Sequence, residues 1–545
     1  MDRAWIKRCE DAVRQHAEAV LQHGRDPLRQ GVPLFCDGLE LETLRPVTWL
    51  SQGETWVLSN LASQQHLLRL LEGVSVLTGA PAYVEAAEAA VGFMLEHGRV
   101  GELLSWGGHM AWDLAKQQPV FANNKGQMHE LKRHYPNYAL LHRVHSAHTQ
   151  RFIEAFWHAH VHDWSRLEFS RHGIPADMTF PALPWPPTYA ETPVFFEGVD
   201  LTFCNAGSDL YYAAVQLSLL TGQKAPLTWA IRLLRRYAQT RHPVTGLGGY
   251  QFSLSILPKG SPHVPEGRGD RAREQLGEQL AAFEPTEASV VSTKQLKTML
   301  GPVAVCRLQL AEQLGAEGCE FLEDAVQDLL AWARHAYDPQ GHVWHPMLIQ
   351  GMRLSALVLE KPGYYGPAGA RLPTCKTDSA MLCAYALAFR LTRDEALWAS
   401  LRQLVQGLKL GTLGETPVDH AQLNLRTGAQ DPALLMALLE LHRATHDPQL
   451  MPMACRVADN MMTLRWNRGF FVRQAQRPLF RLDRPEPLAI LHLTETLRGY
   501  EGRLPAYSPG QPRFEAWHDQ AGETTDEKWL YERLTAFPSS DPRPE

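Results

Sequence analysis

Nowhere in these 545 residues does an apolar run approach the length of a membrane-spanning helix, which needs about 20 apolar residues. The opening stretch, MDRAWIKRCEDAVRQHAEAV, carries a charge every few residues and lacks the apolar centre of a secretory leader. The eight cysteines (Cys9, Cys36, Cys204, Cys306, Cys319, Cys375, Cys383 and Cys455) include no CxxC pair. Scattered cysteines without a leader are expected to be thiols in a reducing cytoplasm rather than a disulfide framework. There is no surplus of charge either: 53 Lys and Arg stand against 59 Asp and Glu, for a formal net charge of −6. That balance excludes a general nucleic-acid binder and a polybasic membrane-surface protein, so any anionic ligand must be met by a local basic site. With 45% hydrophobic residues, a chain of this length builds its core without structural metal or disulfides.

What is present is helical periodicity, and it repeats. An apolar helix, a short turn and a second helix recur five times. The copies start at LLRLLEGVSVLTG, YYAAVQLSLLTG, VAVCRLQLAEQLG, AMLCAYALAFRLT and ALLMALLELHRAT. Apolar residues fall at i, i+3, i+4 and i+7, and Gly79, Gly222 and Gly315 follow three of the first helices, where a left-handed cap is expected. Helical hairpins cannot bury their faces alone and must stack. Uneven spacing favours an α/α toroid over an open solenoid, with a helix around Trp5–His23 and another around Glu486–Tyr500 as the closing pair. The expectation is one catalytic domain over residues 1–545, interrupted by two arm-like insertions with short strands, at about 105–205 and 250–293. Long insertions of this kind are usually functional or disordered.

Histidine is concentrated in the first insertion, which holds ten of the 24 between His109 and His172. Imidazole is the commonest metal ligand and a proton shuttle near neutrality. Three subsets deserve weighing. HAHVHD (His158, His160, His162, Asp163) is like a metal loop of β-sandwich hydrolases but with the wrong order of ligands, in a helical chain. His142, His145 and His148 share a helix face at i, i+3 and i+6, yet three histidines of one helix seldom converge on one ion. His109 in SWGGHMAWD, Glu130 in NNKGQMHELKRHYPN and His172 in EFSRHGIP form a mixed set with open positions, suited to Mn, Fe, Co or Ni rather than Ca. Spacing alone does not single out that third set.

The Glu130 segment, the Arg171–His172 pair and His109 after its Trp-Gly-Gly turn resemble the family 2 polysaccharide lyases. The resemblance extends along essentially the whole chain, in the order of helical pairs and in the arms. It implies an α7/α7 barrel acting on polygalacturonate, with His109, Glu130 and His172 holding metal and Arg171 as the Brønsted base. It implies Mn²⁺, with Co²⁺ or Ni²⁺ as substitutes and Ca²⁺ less suited. It further implies exolytic release of unsaturated digalacturonate, or of trigalacturonate, and the absence of a leader looks like a cytoplasmic branch.

The chemistry fits these residue types. Elimination removes the C5 proton of a uronide, which is acidified when a cation draws charge from the C6 carboxylate. Arginine is ordinarily always protonated, so a metal-bound His172 beside Arg171 is needed to disfavour the guanidinium. The plainer work of such an arginine is to fork onto a substrate carboxylate. A polyanion with flat sugar faces also asks for cations and aromatic platforms, and Lys294, Tyr250, Arg268, Arg271 and Trp106 are candidates, although aromatic side chains are more often core. Two other classes compete. An α/α glycoside hydrolase would use a carboxylate pair drawn from Asp113, Glu130 and Asp209 without metal. A uronide-binding protein would need no histidine cluster.

Overall fold

The computed structural model describes residues 3–122, 128–173, 184–194, 196, 201–253, 270–292, 297–473, 478–500, 502–510 and 513–531. Helices dominate, and in chain order they are α1 (Arg3–His23), α2 (Gln65–Thr78), α3 (Ala82–His97), α4 (Tyr138–Val144), α5 (Ser146–His160), α6 (Ser208–Thr221), α7 (Lys224–Ala238), α8 (Arg271–Leu276), α9 (Gly301–Leu314), α10 (Cys319–His335), α11 (Ser379–Thr392), α12 (Glu395–Gly407), α13 (Pro432–Thr445), α14 (Leu450–Leu464) and α15 (Pro485–Arg498). The five expected hairpins are therefore α2/α3, α6/α7, α9/α10, α11/α12 and α13/α14. Gly79 and Gly222 cap α2 and α6 at φ 71° and 73°, a region that costs glycine nothing and other residues about 1 kcal/mol or more. Asp378, Asp394 and Asp431 cap the N-termini of α11, α12 and α13 by accepting backbone N–H groups, which satisfies donors the helix itself cannot. The chain is all-α in class, and its strands are short pairs and triplets.

The contacts divide into two compact units, residues 1–148 with 459–507 and 511–545, and residues 149–458 with 508–510. In the first unit, α1 and α15 pack against each other and against α2, as the periodicity of the chain ends predicts. Arg498 of α15 forks onto Glu10 of α1 at 2.5 and 2.8 Å. A small β layer lies in the same unit. The strand Met110–Asp113 pairs with Leu58–Ser59 on one side and Gln118–Phe121 on the other. Its apolar side joins Trp49, Trp56, Leu58, Ala111, Val120, Phe514, Ala516 and Trp529 in one buried cluster. The hairpin Glu515–His518/Gly522–Thr525 is fixed to that layer by Trp49, whose indole N–H donates to the Trp517 carbonyl at 2.8 Å.

In the second unit, α11 packs against α9 and α13, and α6 against α7. Its interior holds a cluster of four charged side chains. Arg307 of α9 meets Asp324 and, at 2.8 Å, Asp328, both on α10, and Arg241 reaches the same two carboxylates at 2.6 and 3.0 Å. Short α8 is seated by Ala272 and Leu276 on Leu348, Leu354, Leu359 and Leu372.

The first insertion contains α4 and α5 as well as short strands. It also corrects the reading of His142, His145 and His148 as one helix face. His145 is the break between α4 and α5, at φ −154°, ψ 90°, and its ring stacks on that of His148 with centroids 3.7 Å apart.

Candidate active site

His109 enters the site through a turn that only glycine makes easily. Gly107 and Gly108 have φ of 83° and 56°, and a Cβ on Gly108 would lie 2.4 Å from the Glu130 Cβ. Close approach of the turn to the Glu130 strand therefore depends on having no side chain there. The turn is held from two sides. The Gly107 N–H donates to Asn60 Oδ1 at 3.2 Å, the Glu515 N–H donates to the Gly108 carbonyl at 2.8 Å, and the buried Asn60 is itself fixed by Asp37.

The ring of His109 is then determined. Nδ1 lies 2.8 Å from the Glu515 carbonyl oxygen, and a carbonyl only accepts, so Nδ1 carries the proton. Nε2 lies 2.9 Å from Glu130 Oε2. In the neutral ring that puts a nitrogen lone pair against a carboxylate, two electron-rich atoms that a cation between them would reconcile. First-row ions sit about 2.1 Å from such donors, so two donors at right angles about one ion are roughly 3 Å apart. Orientation of a ligating imidazole by a carbonyl on its far nitrogen is the usual outer-shell device. His109 and Glu130 are 3% and 1% exposed, dry enough for charge interactions to be strong. This half of the proposed donor set fits a transition metal. Lys132 Nζ donates to Glu515 Oε2 at 2.9 Å and lies as an ion pair 2.9 Å from Glu130 Oε2. Burial alone would raise the Glu515 carboxyl, but the charge and hydrogen bond of Lys132 bring it below the usual glutamate range.

Arg171 and His172, in the second unit, follow a segment pinned by His160. The Ser170 N–H donates to the His160 carbonyl, the His160 ring donates from Nδ1 to the Ser170 carbonyl, and the His172 N–H donates to Ser170 Oγ, at 2.9, 2.9 and 3.1 Å. His160 is fully buried, and burial lowers its pKa to about 3, so it is a neutral post. The HAHVHD motif is thus structural at its first two histidines, since His158 Nε2 likewise donates to the Pro184 carbonyl, at 2.7 Å.

Tyr250 and Arg271, separate candidates in the sequence, lie against each other, and Tyr364 joins them. The Arg271 guanidinium carbon lies 4.4 Å from the Tyr250 ring centre and 4.0 Å from that of Tyr364, a two-sided cation–π arrangement. Glu287 closes it, accepting from Arg271 at 2.9 Å and from the Tyr365 hydroxyl at 3.1 Å. Burial pushes the Glu287 carboxyl up to about 7 against the pull of Arg271. Arg171 is near enough to this group for its charge to act on Tyr364, whose hydroxyl is nonetheless raised, chiefly by burial. Two adjacent tyrosines in the KPGYYG loop were the available signal, since Pro-Gly turns display the aromatics they carry.

Trp106 is a correction. It is 2% exposed, so its indole lies in the interior and offers no face to a sugar. Lys294 and Arg268 lie outside the described residues. The carboxylates weighed for hydrolysis have other work. Asp113 Oδ1 accepts from the backbone N–H groups of Val57 and Ala115, and Asp209 is buried in the first turn of α6.

Comparison with known proteins shows the family. The family model described as periplasmic pectate lyase matches residues 32–517. The chain is 30% identical over 521 residues to a pectate disaccharide-lyase of Dickeya dadantii (strain 3937), covering 92% of both chains. The chain belongs to the periplasmic pectate lyase family, and its enzymatic class is that of the polysaccharide lyases. Among solved structures it is similar to an α-1,2-mannosidase from Trichoderma reesei, at 11% identity and TM-score 0.49 over 96% of this chain and 99% of that one. It is also similar to a D-mannose isomerase, at 11% identity and TM-score 0.41 over 76% and 88%.

Proposed function

We propose that the chain cleaves polygalacturonate or oligogalacturonides by β-elimination, with Arg171 as the base and a divalent cation, Mn²⁺ first, held by His109, Glu130 and His172. The observation that carries this reading is the approach of His109 Nε2 to Glu130 Oε2 at 2.9 Å, with the other ring nitrogen committed to the Glu515 carbonyl.

A dication held by His109, Glu130 and His172 would draw charge from the substrate C6 carboxylate, and its positive charge would favour the neutral form of Arg171. Arg171 then takes the proton from C5. The electron pair left on C5 forms the C4–C5 double bond as O4 departs, and O4 is protonated from solvent. Glu515 fixes the His109 tautomer, and the post at His160 sets the backbone that precedes Arg171. Tyr250 and Tyr364, held by Arg271, offer sugar-facing rings, and the resulting grip on a chain end supports exolytic release of unsaturated digalacturonate or trigalacturonate. The eight cysteines form no disulfide, which supports a cytoplasmic enzyme, and cell fractionation checks that compartment. Among the described residues no helix is long and apolar enough to cross a membrane.

The test follows ultraviolet absorbance of the protein with polygalacturonate. The expected result is a rise that chelator abolishes, that Mn²⁺ restores and that Arg171→Ala loses by at least about a hundredfold. New reducing ends without absorbance, insensitive to chelator, would sink the reading in favour of hydrolysis.

A further inference from the structure

The carboxylate that faces His109 is already in contact with a cation belonging to the protein. Lys132 Nζ is 2.9 Å from Glu130 Oε2, the same oxygen that lies 2.9 Å from His109 Nε2. The ammonium is also 2.9 Å from Glu515 Oε2, and the Lys132 side chain is only 10% exposed, so it is screened little by solvent. Glu515 has a second attachment to the site, because its carbonyl holds His109 Nδ1. One residue therefore both orients a proposed ligand and shares the lysine that neutralises another.

We propose that Lys132 is an internal counter-ion that competes with the metal for Glu130, and that Glu515 receives its charge when metal binds. This rests on the metal reading of His109 and Glu130 given above. An ammonium and a dication on one carboxylate oxygen repel, and like charges placed together weaken association strongly. Shared between two carboxylates, the lysine can lean toward Glu515 without leaving the pocket or forfeiting a partner. Metal affinity is then set by the difference between two lysine–carboxylate contacts, and the metal-free protein keeps Glu130 paired in its buried position. Lys132 is a positioning residue on this account, acting through Glu130.

A purely structural lysine predicts the opposite sign on removal, which makes the test decisive. Mn²⁺ is titrated calorimetrically into chelator-stripped full-length protein, with thermal melts in chelator to confirm folding. Lys132→Met is expected to bind Mn²⁺ more tightly, by roughly tenfold or more, and Lys132→Gln, kept as a second variant should the first fold poorly, is expected to do the same. Glu515→Gln is expected to bind more weakly, because the lysine is then left on Glu130 alone. The effect of Glu515→Gln should shrink in the Lys132→Met background, a coupling that a double-mutant cycle reads directly. Unchanged or weaker binding in both folded Lys132 variants, or additive effects across the cycle, would overturn the counter-ion role while leaving the metal site standing. No Mn²⁺ binding by the unsubstituted protein would overturn the metal site and this inference together.

Discussion

Two buried charge clusters, one in each unit, look alike by composition and differ in what their atoms ask for. Around α9 and α10, Arg241 and Arg307 face Asp324 and Asp328, two cations against two anions, with each guanidinium reaching both carboxylates. Nothing more is needed for that set to be neutral. Around the Gly107–Gly108 turn, an imidazole nitrogen whose partner nitrogen is already committed as a donor points at a carboxylate. Lys132 shares itself between that carboxylate and Glu515. Arg513, 3.9 Å from Glu515, completes two cations against two anions there as well, yet the His109 Nε2 lone pair still faces the Glu130 carboxylate without a positive charge between them. Burial of charge is therefore no mark of a site by itself, and the number and direction of the donors decide.

The largest contrast is expected from breaking one cluster at a time. Glu130→Gln removes the one negative charge of the proposed ligand set, keeps the shape, and should lower kcat by about a thousandfold or more while moving the melting temperature little. Arg307→Ala leaves Asp324 and Asp328 buried with Arg241 alone. It should cost about 3–5 kcal/mol of stability, with kcat of the folded fraction close to that of the unsubstituted enzyme. Paired assays of lyase rate and denaturant midpoint check both at once. Equal loss of activity and of stability in the two variants would erase the distinction between the clusters.

The sequence made the scaffold legible and most of the site illegible, for reasons visible in single residues. The five hairpins follow from apolar spacing, and the turns at Gly79 and Gly222 from the left-handed backbone they adopt; both signals are local. The contact between His109 and Glu515 spans 406 residues, and no local pattern announces it. His109, Glu130 and His172 stood out through family resemblance rather than through their spacing. Trp106 looked displayed because it lies in a loop after a helix pair, yet its indole is buried. His145 looked helical because HRVHSAH contains no Gly or Pro, and the break there is made by α4 and α5 packing separately. Tyr364 was missed because its role depends on Arg271, 93 positions earlier, lying against its ring at 4.0 Å.

A third buried group sharpens the comparison by carrying no charge at all. His16 of α1 is fully buried, its Nδ1 accepts from the Phe471 N–H at 3.2 Å, and the rings of Phe470 and Phe471 meet it edge-on. Burial lowers its pKa from 6.5 to about 3. The unfolded chain thus takes up a proton below about pH 6.5 that the folded chain refuses until near pH 3, so the unfolded state binds more protons across that window and folding weakens as pH falls. The stability from this one ring is fully present above pH 6.5 and declines by roughly 1.4 kcal/mol per pH unit below it. Replacing His16 by Gln, which keeps an acceptor for Phe471 but does not titrate, should flatten the acid limb of a plot of denaturant midpoint against pH between 6.5 and 4.5, whatever it costs at neutral pH. An acid limb of unchanged slope would show that His16 is charged in the folded protein, and that its apolar surroundings do not separate it from the two charged clusters as argued here.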